Sequence, residues 1–212
     1  MPAAPLRVAV LVSGSGRTLQ NFVDLRAAGN LPIEIPIVIG SRSGLLGVER
    51  AAKAGIPAEV VERKEFASLA DCCETIFAHC DRAKVDLICL AGWLCLLEIP
   101  QRYLGRIMNI HPALLPSFGG KGMFGHHVHE AVIEHGCKVS GCTVHFLDNS
   151  YDTGPIVLQQ TCPVLDDDTA DTLAARVFEQ EKLAYPEAIR LFAQGRLKIE
   201  GRRVRVLGPE KR

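Results

Sequence analysis

The first half of the chain alternates short apolar runs with amphipathic stretches, and that rhythm leaves few folds open. "LRVAVLVS" (Leu6–Ser13) reads as a buried strand, "RTLQNFVDLRAAGN" as a helix ending at Gly29, and "IEIPIVIG" as a second strand. Pro36 has no N–H for a sheet ladder, so this second strand is expected at an edge or to be irregular. "GLLGVERAAKAG" reads as a helix with Gly55 at its end, "IPAEVVE" as a short strand, and "EFASLADCCETIFAHCDRAK" as a longer helix. "VDLICLAG" and "GRIMNI" are two more buried strands around a short helix near "IPQRYLG". Strand and helix in strict alternation imply an α/β, Rossmann-like, three-layer fold, with a mostly parallel twisted sheet and helices on both faces.

The second half changes character. A loop rich in Gly and His, "SFGGKGMFGHHVHE", leads into a helix reaching about His135. "KVSGCTVHFL" and "GPIVLQQTCPV" then flank the turn "DNSYDTGP", which predicts an antiparallel strand pair. Acidic residues at the head of "DDDTADTLAARVFEQEKLAYPEAIRLFAQG" suit a helix N-terminus, and Pro186 is expected to bend that helix. The tail "RRVRVLGPEKR" reads as a fraying, solvated basic end.

Charge and hydropathy remove several function classes. Lys+Arg and Asp+Glu are both 24, so no overall basic field draws nucleic acid or an anionic membrane. The longest apolar run, Leu87–Leu97, is eleven residues and too short to span a bilayer. The N-terminus lacks the basic start and long apolar core of a signal peptide, so a cytoplasmic location is expected. Eight cysteines without a CxxC pair read as buried free thiols in a reducing compartment.

Three short stretches carry chemistry. In "MNIHPALLPSF" Asn109 and His111 stand two apart on a strand, so amide and imidazole share one face, and Pro112 holds His111 extended. In "DNSYDTGP" Asp152 sits in a tight turn between two strands. If that turn folds over the strand end, a neutral donor, an imidazole and a carboxylate meet, a set suited to acyl transfer to an amine. In "SGSGRTLQ" a glycine turn opens the first helix, where free amides and the helix dipole attract an anion. Leu19 replaces the third glycine of a dinucleotide fingerprint, so a single phosphate fits better.

Read together with "LICLAGWLCLL", "SGCTVHF", "YDTGPIVLQ" and "FEQEKLAYPEAIRLFAQGRL", these stretches resemble the phosphoribosylglycinamide formyltransferase (glycinamide ribonucleotide transformylase) family from about Leu6 to Leu207. The resemblance implies one domain over residues 1–212, with a phosphate-binding half of about 6–105 and a catalytic and folate half of about 106–207. It implies transfer of a formyl group from 10-formyltetrahydrofolate to glycinamide ribonucleotide in purine synthesis, without metal, by a monomer or homodimer that binds neither nucleic acid nor membrane. Asn109, His111 and Asp152 match the family's catalytic trio. Gly16, Arg17 and Thr18 match the phosphate loop, and Glu181 matches the contact to the glycinamide end. Trp93, Leu94, Cys95, Leu96, Leu97, Ile110, Leu147, Asp148 and Tyr151 match the folate pocket.

Departures from the pattern accompany the match. Arg17 and Thr18 replace a common Ser-Asn, while Trp93 and Cys95 replace a Phe and an Arg beside the pterin. A frequent basic residue appears as Leu69, with Arg63 or Lys64 nearby as the candidates to compensate. His126, His127 and His129 are expected on a mobile loop over the substrate rather than on a metal. Formyltetrahydrofolate deformylases and methionyl-tRNA formyltransferases share the Asn-x-His strand end, but are expected to carry an additional domain. A folate-binding module without turnover is the reading from another class, and the intact trio argues against it.

Overall fold

A computed structural model describes residues 4–208. Its contacts fall into two compact units, Met1–Met108 and Asn109–Arg212.

In the first unit β1 (Leu6–Val12) is the central strand, parallel to β2 (Ile33–Gly40) on one side and to β4 (Leu87–Leu90) on the other. β3 (Ala58–Val60) extends the sheet beyond β2. Val8 to Val12 are fully buried, each Val and Leu side chain among them contributing roughly 1.5–3 kcal/mol by leaving water, which anchors the turn that follows. Helix α1 (Arg17–Ala27) buries Thr18, Leu19 and Phe22. It packs on α2 (Leu46–Lys53), which in turn packs on β2 and β3.

Pro36 makes β2 irregular rather than placing it at the edge. Two β2 residues stand opposite Val8, and β3 pairs only with Val38–Gly40, leaving the Pro36 stretch one unpaired side. Helix α3 (Leu69–Arg82) begins later than its sequence suggests, because the Ser68 hydroxyl caps it by accepting the Asp71 N–H at 3.1 Å.

The division between the units falls within β5 (Ile107–His111). In the second unit α4 (His126–Glu134) precedes β6 (Val139–Phe146) and β7 (Ile156–Pro163), which pair antiparallel as expected. Helix α5 (Ala170–Ala193) covers β6 and β7, starts at a Thr169 capping box, and runs on through Pro186.

Two expectations fail here. The basic tail does not fray over its first part, because β8 (Leu197–Glu200) and β9 (Arg203–Val206) form a hairpin, joined to the sheet where Arg203 pairs with Ile156. Alternation of Val204 and Val206 with arginines is a strand pattern that overall charge conceals. Residues 209–212 of that tail lie outside the described residues. The histidine stretch is not a loop either, since His126 opens α4 directly after Gly125. No described helix is long and apolar enough to cross a membrane.

Candidate active site

Asn109 and His111 end β5 on one face while Ile110 is buried on the other, as strand alternation requires. The His111 ring is buried, and its Nε2 lies 2.8 Å from the Phe118 carbonyl. A carbonyl only accepts, so Nε2 carries the proton and donates it, leaving Nδ1 with its lone pair when the ring is neutral.

Asp152 reaches this strand end through the turn between β6 and β7. Asp148 tightens the turn by accepting the Ser150 N–H at 3.0 Å and the Thr153 hydroxyl at 2.8 Å. Asp152 itself is left-handed (φ 55), a conformation aspartate tolerates better than most residues. Gly154 has no room for a side chain against the Phe146 carbonyl, so the turn lies close on the end of β6. The outcome is that Asp152 Oδ2 stands 3.6 Å from His111 Nδ1 and accepts the Gly120 N–H at 3.0 Å.

A fourth group, which sequence reasoning missed, completes the cluster. His145 is buried on β6, and its Nδ1 donates to the Phe146 carbonyl at 2.9 Å. Its Nε2 is 3.2 Å from Asn109 Nδ2 and 3.6 Å from Asp152 Oδ1. A neutral His145 therefore accepts one N–H of Asn109, and the second amide N–H remains to meet an oxyanion. The signal was an ionisable residue two positions beyond Thr143 on a strand, just ahead of the Asp152 turn.

Charge follows from this packing. Burial lowers the His111 pKa from its ordinary 6.5, and the pull of the Asp152 carboxylate and the Phe118 carbonyl in the opposite sense does not overcome it. Burial pushes Asp152 up, but a hydrogen bond from His145 when its Nε2 carries a proton, the His111 charge and the Gly120 N–H together hold its carboxyl below the usual 3.8. Near neutral pH the site thus holds an uncharged imidazole with a bare nitrogen beside an ionised carboxylate, an arrangement able to take up a proton and stabilise the resulting cation.

The backbone after His111 is bolted to β6. The Thr143 hydroxyl, fully buried, donates to the Ala113 carbonyl at 2.7 Å and accepts the Leu115 N–H at 3.0 Å. Gln159 on β7 adds donations to the Leu115 carbonyl (3.0 Å) and to Thr143 (2.9 Å). Glu181 is half-buried on α5 beside Cys142 of β6, whose thiol is pushed up to about 12 by burial first and the Glu181 charge second.

In the first unit Gly16 is the left-handed N-cap of α1 (φ 69), followed by Arg17 and the buried Thr18. A Cβ at Gly16 would come within 2.5 Å of Gly47 Cα, so this glycine is required by the approach of α2. Gly14, the other glycine of this turn, has open space in front of it and was not among the residues matched to the phosphate loop. Arg50 of α2 donates to the Ser15 carbonyl at 2.9 Å and brings its charge to the turn. Lys64 instead pairs with Glu62 at 2.6 Å, and Arg63 donates to the Phe66 carbonyl at 2.8 Å.

The segment from Trp93 to Leu97 is tied to the same turn. Ser13 donates its N–H to the Gly92 carbonyl at 3.2 Å and accepts the Leu94 N–H on its hydroxyl at 3.1 Å. Trp93 and Leu97 are buried, Cys95 and Leu96 half-buried, and Leu94 exposed. In the second unit Leu147 and Asp148 are half-buried and Tyr151 is exposed. Among the described residues no group of three or more His, Cys, Asp or Glu is placed to hold a metal ion. His126 and His127 instead contact Glu130, at 3.4 and 3.3 Å, while His129 is buried.

Comparison with known proteins places the chain in a family. The formyl transferase family model matches residues 6–189. A phosphoribosylglycinamide formyltransferase of Haemophilus influenzae is 37% identical over 196 residues, covering 92% of this chain and 90% of that protein. A trifunctional purine biosynthetic protein adenosine-3 of Drosophila pseudoobscura pseudoobscura is 42% identical over 196 residues, which are 91% of this chain but 14% of that protein. The crystal structure of glycinamide ribonucleotide transformylase 1 from Symbiobacterium toebii superposes with a TM-score of 0.90 at 42% identity, over 97% of this chain and 96% of the other.

Proposed function

The chain belongs to the formyl transferase family, and from that premise we propose that it transfers the formyl group of 10-formyltetrahydrofolate to the amine of glycinamide ribonucleotide in purine biosynthesis. The chain, residues 1–212, serves as one formyltransferase domain. The observation that carries the reading is the convergence of Asn109 and His111 with Asp152, which is distant from them in the chain, so that the amide, the bare imidazole nitrogen and the carboxylate meet at one strand end.

The amine nitrogen attacks the formyl carbon, and the carbonyl π bond opens to an oxyanion. The second N–H of Asn109 donates to that oxyanion. His111 Nδ1 takes the proton that the attacking nitrogen must lose, and Asp152 stabilises the imidazolium formed. Collapse breaks the bond from the formyl carbon to the folate nitrogen, which receives the proton from His111. The ring returns to its neutral state, and no covalent intermediate with the protein is required.

Choice of an amine over water is a matter of positioning. Gly14 to Thr18, with Arg50, hold the acceptor's phosphate, and Glu181 holds its glycinamide end. Trp93–Leu97, Ile110, Leu147, Asp148 and Tyr151 hold the folate. Fixing both reactants raises their effective concentration, which can be worth several kcal/mol.

The deciding assay follows formyl transfer with purified protein. The folate alone should lose formyl slowly, and adding glycinamide ribonucleotide should accelerate the loss greatly, with the formyl recovered on its amine. Rapid formate release that ignores the acceptor would overturn the reading in favour of a deformylase.

A further inference from the structure

We infer that Phe118 is a positioning residue for His111: its left-handed backbone (φ 52) aims its own carbonyl at Nε2 and holds the imidazole in the tautomer whose bare Nδ1 faces Asp152. The inference rests on the proton-handling role proposed for His111. Because the carbonyl can only accept, Nε2 keeps its hydrogen in both charge states of the ring. Nδ1 is then the one ring atom that can gain or lose a proton without breaking the bond to Phe118.

The carboxylate is gripped from the same short segment. Asp152 Oδ2, the oxygen facing Nδ1, also accepts the Gly120 N–H at 3.0 Å. Residues 118 and 120 therefore fix the imidazole at one nitrogen and the carboxylate opposite the other, so the segment sets the distance between the two groups.

A bulky side chain rarely occupies positive φ, and such a backbone persists only where its surroundings over-determine it. The surroundings here do so at several points. The Phe118 ring meets the His135 ring edge-on, with centroids 5.4 Å apart, and His135 is anchored by its Nδ1 on the Ala131 carbonyl at 2.8 Å. Ser117 donates its N–H to the Leu114 carbonyl at 3.1 Å. Gly119 has no space for a Cβ, which would meet Leu115 Cδ2 at 2.5 Å.

Two substitutions separate this role from simple packing. Phe118→Ala loses the ring that holds the conformation but keeps a Cβ that disfavours it. Phe118→Gly loses the same ring yet is at ease at positive φ. A packing role makes alanine at least as good as glycine, whereas a tautomer lock makes glycine better. We expect kcat to fall on the order of 10²-fold in Phe118→Ala, as for a misplaced catalytic group, with KM for the folate little changed, and to fall much less in Phe118→Gly.

Nuclear magnetic resonance of isotope-labelled imidazole nitrogens gives a readout that does not depend on turnover. The unaltered protein should show His111 with a bare Nδ1 and a protonated Nε2, and Phe118→Ala should show a mixture of tautomers. A proton on Nδ1 with a bare Nε2 in the unaltered protein would overturn the inference, as would an alanine variant equal to or better than glycine. If Phe118→Ala does not fold, the spectrum of the unaltered protein and the kcat of Phe118→Gly still decide. Failure of the formyl-transfer reading would look different: no turnover in the unaltered protein, with the expected tautomer in place.

Discussion

The glycine turn of the first unit and the strand end of the second to which we assign the chemistry use the chain in opposite ways. At Gly14–Thr18 the proposed functional groups are backbone amides, and side chains matter mainly by being absent, since Gly47 leaves no room at Gly16 and the space before Gly14 is open. At Asn109, His111, His145 and Asp152 the proposed functional groups are side chains, and the backbone is bent to bring them together, with Phe118 and Asp152 both at positive φ. A site built from amides tolerates changes of side chain and fails on added bulk. A site built from buried side chains fails when any polar partner is removed.

The largest expected effects lie in the second unit and test that claim most severely. His111→Ala and Asp152→Asn should each cut kcat by about 10²- to 10⁴-fold, the usual weight of positioned proton transfer, with folding retained. Asn109→Ala removes an oxyanion donor, and also the partner of His145 Nε2, for a loss on the order of 3 kcal/mol in the transition state. Steady-state kinetics on folded variants decides the matter. Near-normal turnover in Asp152→Asn would remove the carboxylate from the mechanism.

Legibility in the sequence followed the same division. Asn109 and His111 could be paired from sequence because a strand's period of two is local, and the alternation of strands and helices needed only neighbouring residues. Asp152 was recognisable as a turn residue, but its place against His111 depends on Asp148, Gly154 and the close fit of the turn on β6, none of which is periodic. His145 escaped because its partners, Asn109 and Asp152, are remote in sequence. Gly16 was read from sequence as a glycine that lets backbone amides approach a phosphate, whereas the structure gives it a packing reason, Gly47 on the next helix, a contact that no local pattern announces. The hairpin of Leu197–Glu200 and Arg203–Val206 was hidden by its charge, since four-residue strands carry too few apolar positions to stand out.

Intermediate effects are expected at the glycine turn, where two substitutions should part company. Gly14→Val adds bulk in open space before the turn, so KM for glycinamide ribonucleotide should rise about tenfold or more while stability and KM for the folate hold. Gly16→Val forces a β-branched residue into a left-handed position against Gly47, so its loss should appear as unfolding at lower temperature. Thermal melts measured beside both KM values separate the cases. Equal destabilisation by the two valines would mean that Gly14 is as structural as Gly16, and the contrast between the units would weaken.

The smallest expected effect is a displacement along the pH axis, and its sign can be worked out from the groups around His111. The ring must be neutral to accept a proton at Nδ1, so kcat should fall on the acid side with a midpoint below the ordinary 6.5, because burial lowers the His111 pKa. Three groups act on it besides burial: the Asp152 carboxylate and the Phe118 carbonyl raise its pKa, and His145, in its protonated form, lowers it by charge repulsion. Removing the carboxylate in Asp152→Asn should therefore move the acid limb of the residual activity to still lower pH. His145→Gln removes a lowering influence and should move the limb upward. Stability obeys the same sign. The folded protein binds the His111 proton more weakly than the unfolded chain does, so stability is full above 6.5 and is lost as pH falls through the lowered folded value, with a further loss below 3.8 as Asp152 is protonated. A limb that shifts the same way in both variants would show that general disruption, rather than the charge on each neighbour, sets the titration of His111.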